Sequence, residues 1–179
     1  MRDGAWCTAG TPGSACHRMG RRGLMRAWRI SKARRAVDLS GMGAALEGGR
    51  WNDAEVPAVY LGLSPAICCL ETFVHQTRRP VIPMKITELE LPDDSELYLE
   101  PDVESLPVGW ASLPPDRPSM SFGTAWLKSG SHLGLIVPSA VMPLERNIVL
   151  NPKHPAMERI MISRVMDFAY DERLFAVRS

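Results

Sequence analysis

The sequence predicts an α+β domain, and three observations carry that expectation. Several short stretches have the alternating or apolar texture of strands, and only two or three have a helical one. The length, 179 residues, suits one ordinary core and is too small for two of typical size.

In chain order, residues 1 to 24 are rich in Gly, Ala, Ser, Thr and Arg and have no apolar stretch long enough for a signal peptide. They are expected to be a disordered extension, with the domain proper spanning 25–179. Met25-Arg-Ala-Trp-Arg-Ile30 opens a different texture, and a strand is expected at 26–30. A Gly-rich turn region follows from Ser40 to Asn52, then an apolar strand at 57–63. Ser64-Pro65 is a helix start, with Ser as N-cap and Pro at the first helical position, and the helix is expected to run to about Thr77, short of Pro80.

Alternation from Val81 to Leu91 predicts a long strand. Ile82, Met84, Ile86, Leu89 and Leu91 seek cover, while Lys85, Thr87, Glu88 and Glu90 seek water, with a slip of register near Glu88. Prolines at 92, 101, 107, 114, 115 and 118 make the next segment mostly loop, with a short turn of helix near Trp110. A helix at 119–128, strands at 132–137 and 147–150 around the turn Pro138-Ser-Ala140, and a final strand or pair of strands within 158–168 complete the reading.

Composition narrows the function classes. With 21 Lys and Arg against 20 Asp and Glu the formal charge is +1, so no global field draws in a polyanion and direct nucleic-acid binding is unsupported. No apolar run is long enough for a membrane span. Basic residues cluster between Arg18 and Arg35 and acidic ones between Glu88 and Glu104, an asymmetry that suits either a protein partner or plain solvated surface. Cys7, Cys16, Cys68 and Cys69 contain no CxxC pair, and are expected to be reduced thiols in a cytoplasmic protein, with Cys68 and Cys69 as small buried residues of a helix. His75, His132 and His154 show no metal-ligand spacing, so no metal is expected and surface or capping roles suit them.

Taken singly, the chemistry-bearing residues are ambiguous. The glycines at 41, 43, 48 and 49 would let backbone approach a ligand and fix Arg50, or would simply bend the chain. They form neither a Walker loop nor a dinucleotide fingerprint. Glu71 borders the apolar stripe Ile67, Leu70, Phe73, Val74. It is thus expected half-buried, held by a partner such as Arg50 or a ligand hydroxyl, or paired with His75 one turn on. Tyr60 in an apolar strand is either a core aromatic with a satisfied hydroxyl or a ligand contact. Ser139 lies in a turn with no GxSxG elbow around it.

Together they say more. Ala27-Trp-Arg-Ile30, Gly48-Gly-Arg-Trp-Asn52, Tyr60 with Ser64-Pro-Ala66, Leu70-Glu71, Val137-Pro-Ser-Ala140, and Asn147 with Asn151-Pro152 and His154-Pro155 resemble, in order and spacing, the RES domain over about 145 residues, Met25 to about Tyr170. The resemblance implies an ADP-ribosyltransferase-like fold with a split β core around an NAD cleft. It implies the toxin of a type II toxin–antitoxin pair, with an antitoxin carrying an Xre-like helix-turn-helix domain that covers the active site. It places catalytic residues at Arg50, Tyr60 and Glu71, and further NAD contacts at Arg29 and Ser139.

The ADP-ribose acceptor, whether a protein, water or phosphate, is left open by the sequence. The chain departs from the family pattern at Asp53-Ala-Glu-Val56, which lacks the glycine often found before the Tyr strand. Two other readings compete: a ribonuclease toxin, disfavoured by the near-neutral charge and scattered histidines, and a non-catalytic interaction module in which Arg and Glu form a structural ion pair.

Overall fold

The computed structural model describes residues 24–176; the expected extension therefore lies, apart from Leu24, outside the described residues. Among the described residues seven strands form one sheet: β1 (Leu24–Lys32), β2 (Val59–Gly62), β3 (Met84–Pro92), β4 (Tyr98–Leu99), β5 (Gly134–Pro138), β6 (Arg146–Leu150) and β7 (Met161–Phe168). Their spatial order is β4-β5-β6-β2-β1-β3-β7. Every pairing is antiparallel except that of β4 with β5. Helices α1 (Met42–Glu47), α2 (Pro65–Phe73) and α3 (Arg117–Ser129) complete the expected α+β class.

The sheet is split at its middle. β1 and β2 share one paired position, Trp28 with Gly62, after which β1 pairs only with β3 and β2 only with β6. Alternation along the strands then feeds two cores. Ile136, Ile148, Leu150, Val59 and Leu61 join Ala27, Leu89 and Leu91 in a cluster shared by both halves of the sheet. The intervening Leu135, Val137 and Val149 face the other way and pack with Trp51, Trp126 and Leu127 beneath α3. It is on this second face that the candidate site is built.

α2 begins as the sequence predicts: Ser64 Oγ accepts from the Ile67 N–H at 3.2 Å and Pro65 opens the first turn. It lies directly on β2, since a Cβ at Gly62 would stand 2.7 Å from the Cys68 nitrogen. The helix stops at Phe73 rather than near Thr77, because no apolar residue continues its stripe through His75-Gln-Thr-Arg-Arg79. Phe73 instead meets Tyr170 and Phe175 at ring centroid distances of 5.9 and 5.2 Å.

Three further expectations are corrected. The Gly-rich region contains a short helix, α1, bounded by Gly41 and Gly48 at φ of 74° and 77°, left-handed values that glycine adopts without penalty. The strand expected from Val81 begins at Met84, and Ile82 is exposed. Thr87 and Glu88, expected to seek water, are buried, because β3 lies between β1 and β7. Thr87 Oγ1 donates to the Ala36 carbonyl at 2.9 Å, and Glu88 sits between Arg26 and Arg164 at 3.4 and 4.0 Å. The expected slip of register is present, between Glu88 and Leu89 against β7.

Candidate active site

α2 carries Glu71 to the ends of β5 and β6. Ser139 follows β5 directly, and Asn147 in β6 is the register partner of Val137 in β5, so both side chains arrive at the same end of the sheet. Ser139 Oγ donates to Glu71 Oε1 at 2.7 Å, and Asn147 Nδ2 donates to the same oxygen at 2.5 Å. The serine has one hydroxyl proton, and its oxygen is already occupied as acceptor by the N–H groups of Val141 and Met142 at 3.0 and 2.9 Å. That proton is therefore aimed at the carboxylate. Both donors fall on Oε1, and Oε2 takes no hydrogen bond from the described residues.

Arg50 comes from the turn between α1 and β2. The turn closes through the Gly49 N–H donating to the Asn52 carbonyl at 2.9 Å. Tyr60 reaches up from β2 beneath it: its hydroxyl accepts from the Trp51 N–H at 2.9 Å and donates to Asn52 Oδ1 at 2.6 Å. Burial pushes the Tyr60 phenol far above its ordinary range, so it stays a neutral donor. The Arg50 guanidinium donates through Nη1 to the carbonyls of Trp110 at 2.8 Å and Ser112 at 2.9 Å, and Trp51 stacks on Trp110 at 6.0 Å. Burial lowers the Arg50 pKa, while the Glu71 carboxylate opposes that shift. The two charges thus feel each other without forming a direct ion pair.

The structure gathers Arg50, Tyr60, Glu71 and Ser139, and places Arg29 on β1 beside the split, within range of the Cys68 thiol on α2. By strand parity Arg29 shares a face with Ala27, and Trp28 shares one with Gly62 and Asn147. The Arg29 guanidinium donates to the Asp38 carbonyl, and burial lowers its pKa against the nearby Asp38 charge. It does stand one residue past the split. Cys68 is buried and Cys69 half-buried, both free. Burial pushes the Cys68 thiol up to about 12, which marks an inert packing residue. His154 accepts from the Ala156 N–H at 3.1 Å as a cap. Among the described residues no group of three or more His, Cys, Asp or Glu is placed to hold a metal ion.

Two site residues had no role in the sequence reading. Asn147 was noticed only as part of a family pattern, since its place opposite Val137 depends on a register that two separate strands do not reveal. Asn52, fully buried under the turn, likewise stood only as the last residue of the Gly-rich stretch and of that pattern. The helical turn expected near Trp110 lies earlier, at Val103–Ser105; Trp110 to Ser112 form hydrogen-bonded turns instead, and their carbonyls carry no sequence signal.

Residues 26–171 match the model of the RES domain. The chain is 41% identical over 155 residues to a protein of Sphingobium sp. (strain YBL2) named Prs ADP-ribosylating toxin, covering 82% of this chain and 94% of the relative. It is 38% identical over 137 residues to a Toxin Res of Yersinia enterocolitica, covering 75% and 89%, and 37% identical over 151 residues to a Toxin Res of Pseudomonas putida, covering 83% and 98%. Among solved structures it superposes on a chain of the M. tuberculosis MbcT–MbcA toxin–antitoxin complex with a TM-score of 0.63 at 19% identity, over 86% of this chain and 88% of that one. That likeness is one of fold, and it agrees with the α+β class expected above. With the family model spanning most of its length and several relatives aligned nearly end to end, the chain belongs to the RES domain family.

Proposed function

We propose that this protein is the toxin of a toxin–antitoxin pair, and that it cleaves the nicotinamide–ribose bond of NAD and transfers ADP-ribose to a protein acceptor. The observation that carries this reading is the Glu71 carboxylate, clamped at Oε1 by Ser139 and Asn147 with Oε2 left open. The names of its relatives, toxins and in one case an ADP-ribosylating toxin, support the reaction class and favour a protein over water or phosphate as acceptor.

Breaking the bond to nicotinamide leaves positive charge on the ribose, as in glycoside cleavage. Nicotinamide departs with the bonding electron pair, and a nucleophile from the acceptor then joins the anomeric carbon and releases its proton to solvent. A fixed carboxylate facing the ribose stabilises the developing charge and accepts a ribose hydroxyl; that role falls to Glu71. Arg50 can exchange its bonds to the Trp110 and Ser112 carbonyls for two oxygens of the pyrophosphate. The Tyr60 ring offers a flat surface for nicotinamide. Ser139 acts at the cleft through Glu71, and Arg29 would reach a ligand only through the gap between β1 and β2, as a secondary contact.

The partner in this reading is an antitoxin with an Xre-like helix-turn-helix domain, and the compartment is the cytoplasm. Support for a partner comes from the toxin–antitoxin complex that shares the fold. The test is to incubate the purified chain with NAD labelled in the adenylate, with and without phosphate and cell lysate. A labelled protein band supports the transferase. Label recovered only as free or phosphorylated ADP-ribose replaces it with an NAD-depleting enzyme, and intact NAD throughout rejects both.

A further inference from the structure

We propose that Asn52 is a positioning residue of this site, acting through the Tyr60 hydroxyl to fix the turn that presents Arg50. The inference rests on the reading of Arg50 as a contact for the NAD pyrophosphate.

Asn52 has no exposed surface and spends its whole side chain on the turn. Nδ2 faces the carbonyls of Ala44 at 3.0 Å, Asp53 at 3.1 Å and Val56 at 2.9 Å, while Oδ1 accepts the Tyr60 hydroxyl proton at 2.6 Å. One amide thereby joins α1, the 53–56 segment and β2. The Tyr60 oxygen, having donated to Asn52, accepts from the Trp51 N–H at 2.9 Å, so its single proton is committed. Its hydroxyl holds the two residues that follow Arg50.

The residue before Arg50 is held by the same pair. A Cβ on Gly49 would meet the Tyr60 hydroxyl oxygen at 2.7 Å and Asn52 Oδ1 at 2.8 Å, so only glycine lets the turn close over them. From the far side α3 presses on the turn: a Cβ at Gly123 would stand 2.1 Å from the Trp51 carbonyl oxygen. Arg50 is thus flanked by residues pinned from below and above, and its exchangeable contacts are those of its guanidinium with the Trp110 and Ser112 carbonyls. A preset guanidinium binds a pyrophosphate without first ordering a turn. The Tyr60 hydroxyl therefore serves binding through Arg50 rather than the reacting atoms.

Steady-state kinetics with NAD test this in Tyr60→Phe, Asn52→Ala, Arg50→Ala and the double variant Tyr60→Phe/Arg50→Ala. Tyr60→Phe should raise KM about tenfold with kcat changed less than about threefold, the signature of lost binding. In the Arg50→Ala background the same change should lower kcat/KM by less than about twofold, because residues acting through one another are not additive. An unchanged KM in Tyr60→Phe, or an equal penalty in both backgrounds, overturns the proposal. Asn52→Ala should follow Tyr60→Phe; if it does not fold, Tyr60→Phe carries the test alone. A second readout needs no activity: the Trp51 amide should exchange its hydrogen faster in Tyr60→Phe, and unchanged exchange overturns the positioning role. Wild-type protein that leaves NAD intact rejects the function itself, and the exchange measurement still decides the latch.

Discussion

Ser139 and Glu71 lie 68 positions apart in the chain, yet Ser139 Oγ and Glu71 Oε1 are 2.7 Å apart. The serine is fixed by two backbone N–H groups and so presents a donor of set direction to the carboxylate. Ser139→Ala removes that donor and also leaves the Val141 and Met142 N–H groups without their acceptor. We expect a loss of stability of about 1–3 kcal/mol from the orphaned groups together with at least a tenfold loss of activity. Thermal unfolding and NAD turnover measure the two; a variant unchanged in both contradicts the arrangement.

Asn147→Ala separates orientation from stability. It deletes the second donor to Oε1, the one side-chain hydrogen bond that Asn147 makes among the described residues, so activity should fall about tenfold, the low end for loss of a group that orients a functional one. Unfolding should shift less than in Ser139→Ala. A larger stability loss than in Ser139→Ala, with full activity, would place Asn147 in the scaffold alone.

Arg50 is a strut as well as a proposed ligand contact. Its guanidinium ties the turn at 49–52 to the loop carrying Trp110 and Ser112, where Val108 and Leu113 are largely exposed. Arg50→Ala should speed proteolysis and hydrogen exchange within residues 106–116 while leaving β5 and β6 protected. Equal protection of that loop in both proteins would show that the two carbonyl contacts hold nothing in place.

Gly123→Ala should damage the site from a distance. The added methyl would collide with backbone rather than with a side chain that can turn away, so either α3 or the Arg50 turn must move. Overpacking of this kind costs about 1–3 kcal/mol, and NAD affinity should fall with stability. Wild-type unfolding and turnover in this variant would contradict the close contact.

The segment before the Tyr60 strand lacks a glycine, and Glu55 adopts φ of 68° there, a left-handed conformation costing an ordinary residue about 1–2 kcal/mol. Glu55→Gly relieves that strain, offset in part by about 0.5–1 kcal/mol from the freer unfolded chain. A small rise in melting temperature with unchanged activity is expected, and a fall would show that the Glu55 side chain contributes more than its backbone strain removes.

How far the sequence could be read follows from which forces act locally. Ser64-Pro65 announced α2 because capping is a matter of adjacent residues, and the slip near Glu88 was visible because alternation itself breaks there. Arg50, Tyr60, Glu71 and Ser139 were legible as a set only through the order of several motifs. α1 was hidden because its two bounding glycines read as flexibility, when each supplies a positive φ at a helix end. Thr87 and Glu88 were misread because a strand with neighbours on both sides can bury polar residues that find partners from the 36–38 segment and from β7. Asn147 acts through one hydrogen bond to a residue 76 positions away, and the four bonds of Asn52 depend on how its turn closes over β2, which no local pattern encodes.

The most direct test of the proposed chemistry is nicotinamide release from NAD by the folded wild-type chain and by Glu71→Gln, which keeps an oxygen for Ser139 and Asn147 but removes the charge. Catalysis by Glu71 predicts release by the wild type, a loss of at least about a hundredfold in the variant, as expected when electrostatic stabilisation of the transition state is removed, and matching unfolding curves. Release at wild-type rate by folded Glu71→Gln would contradict it.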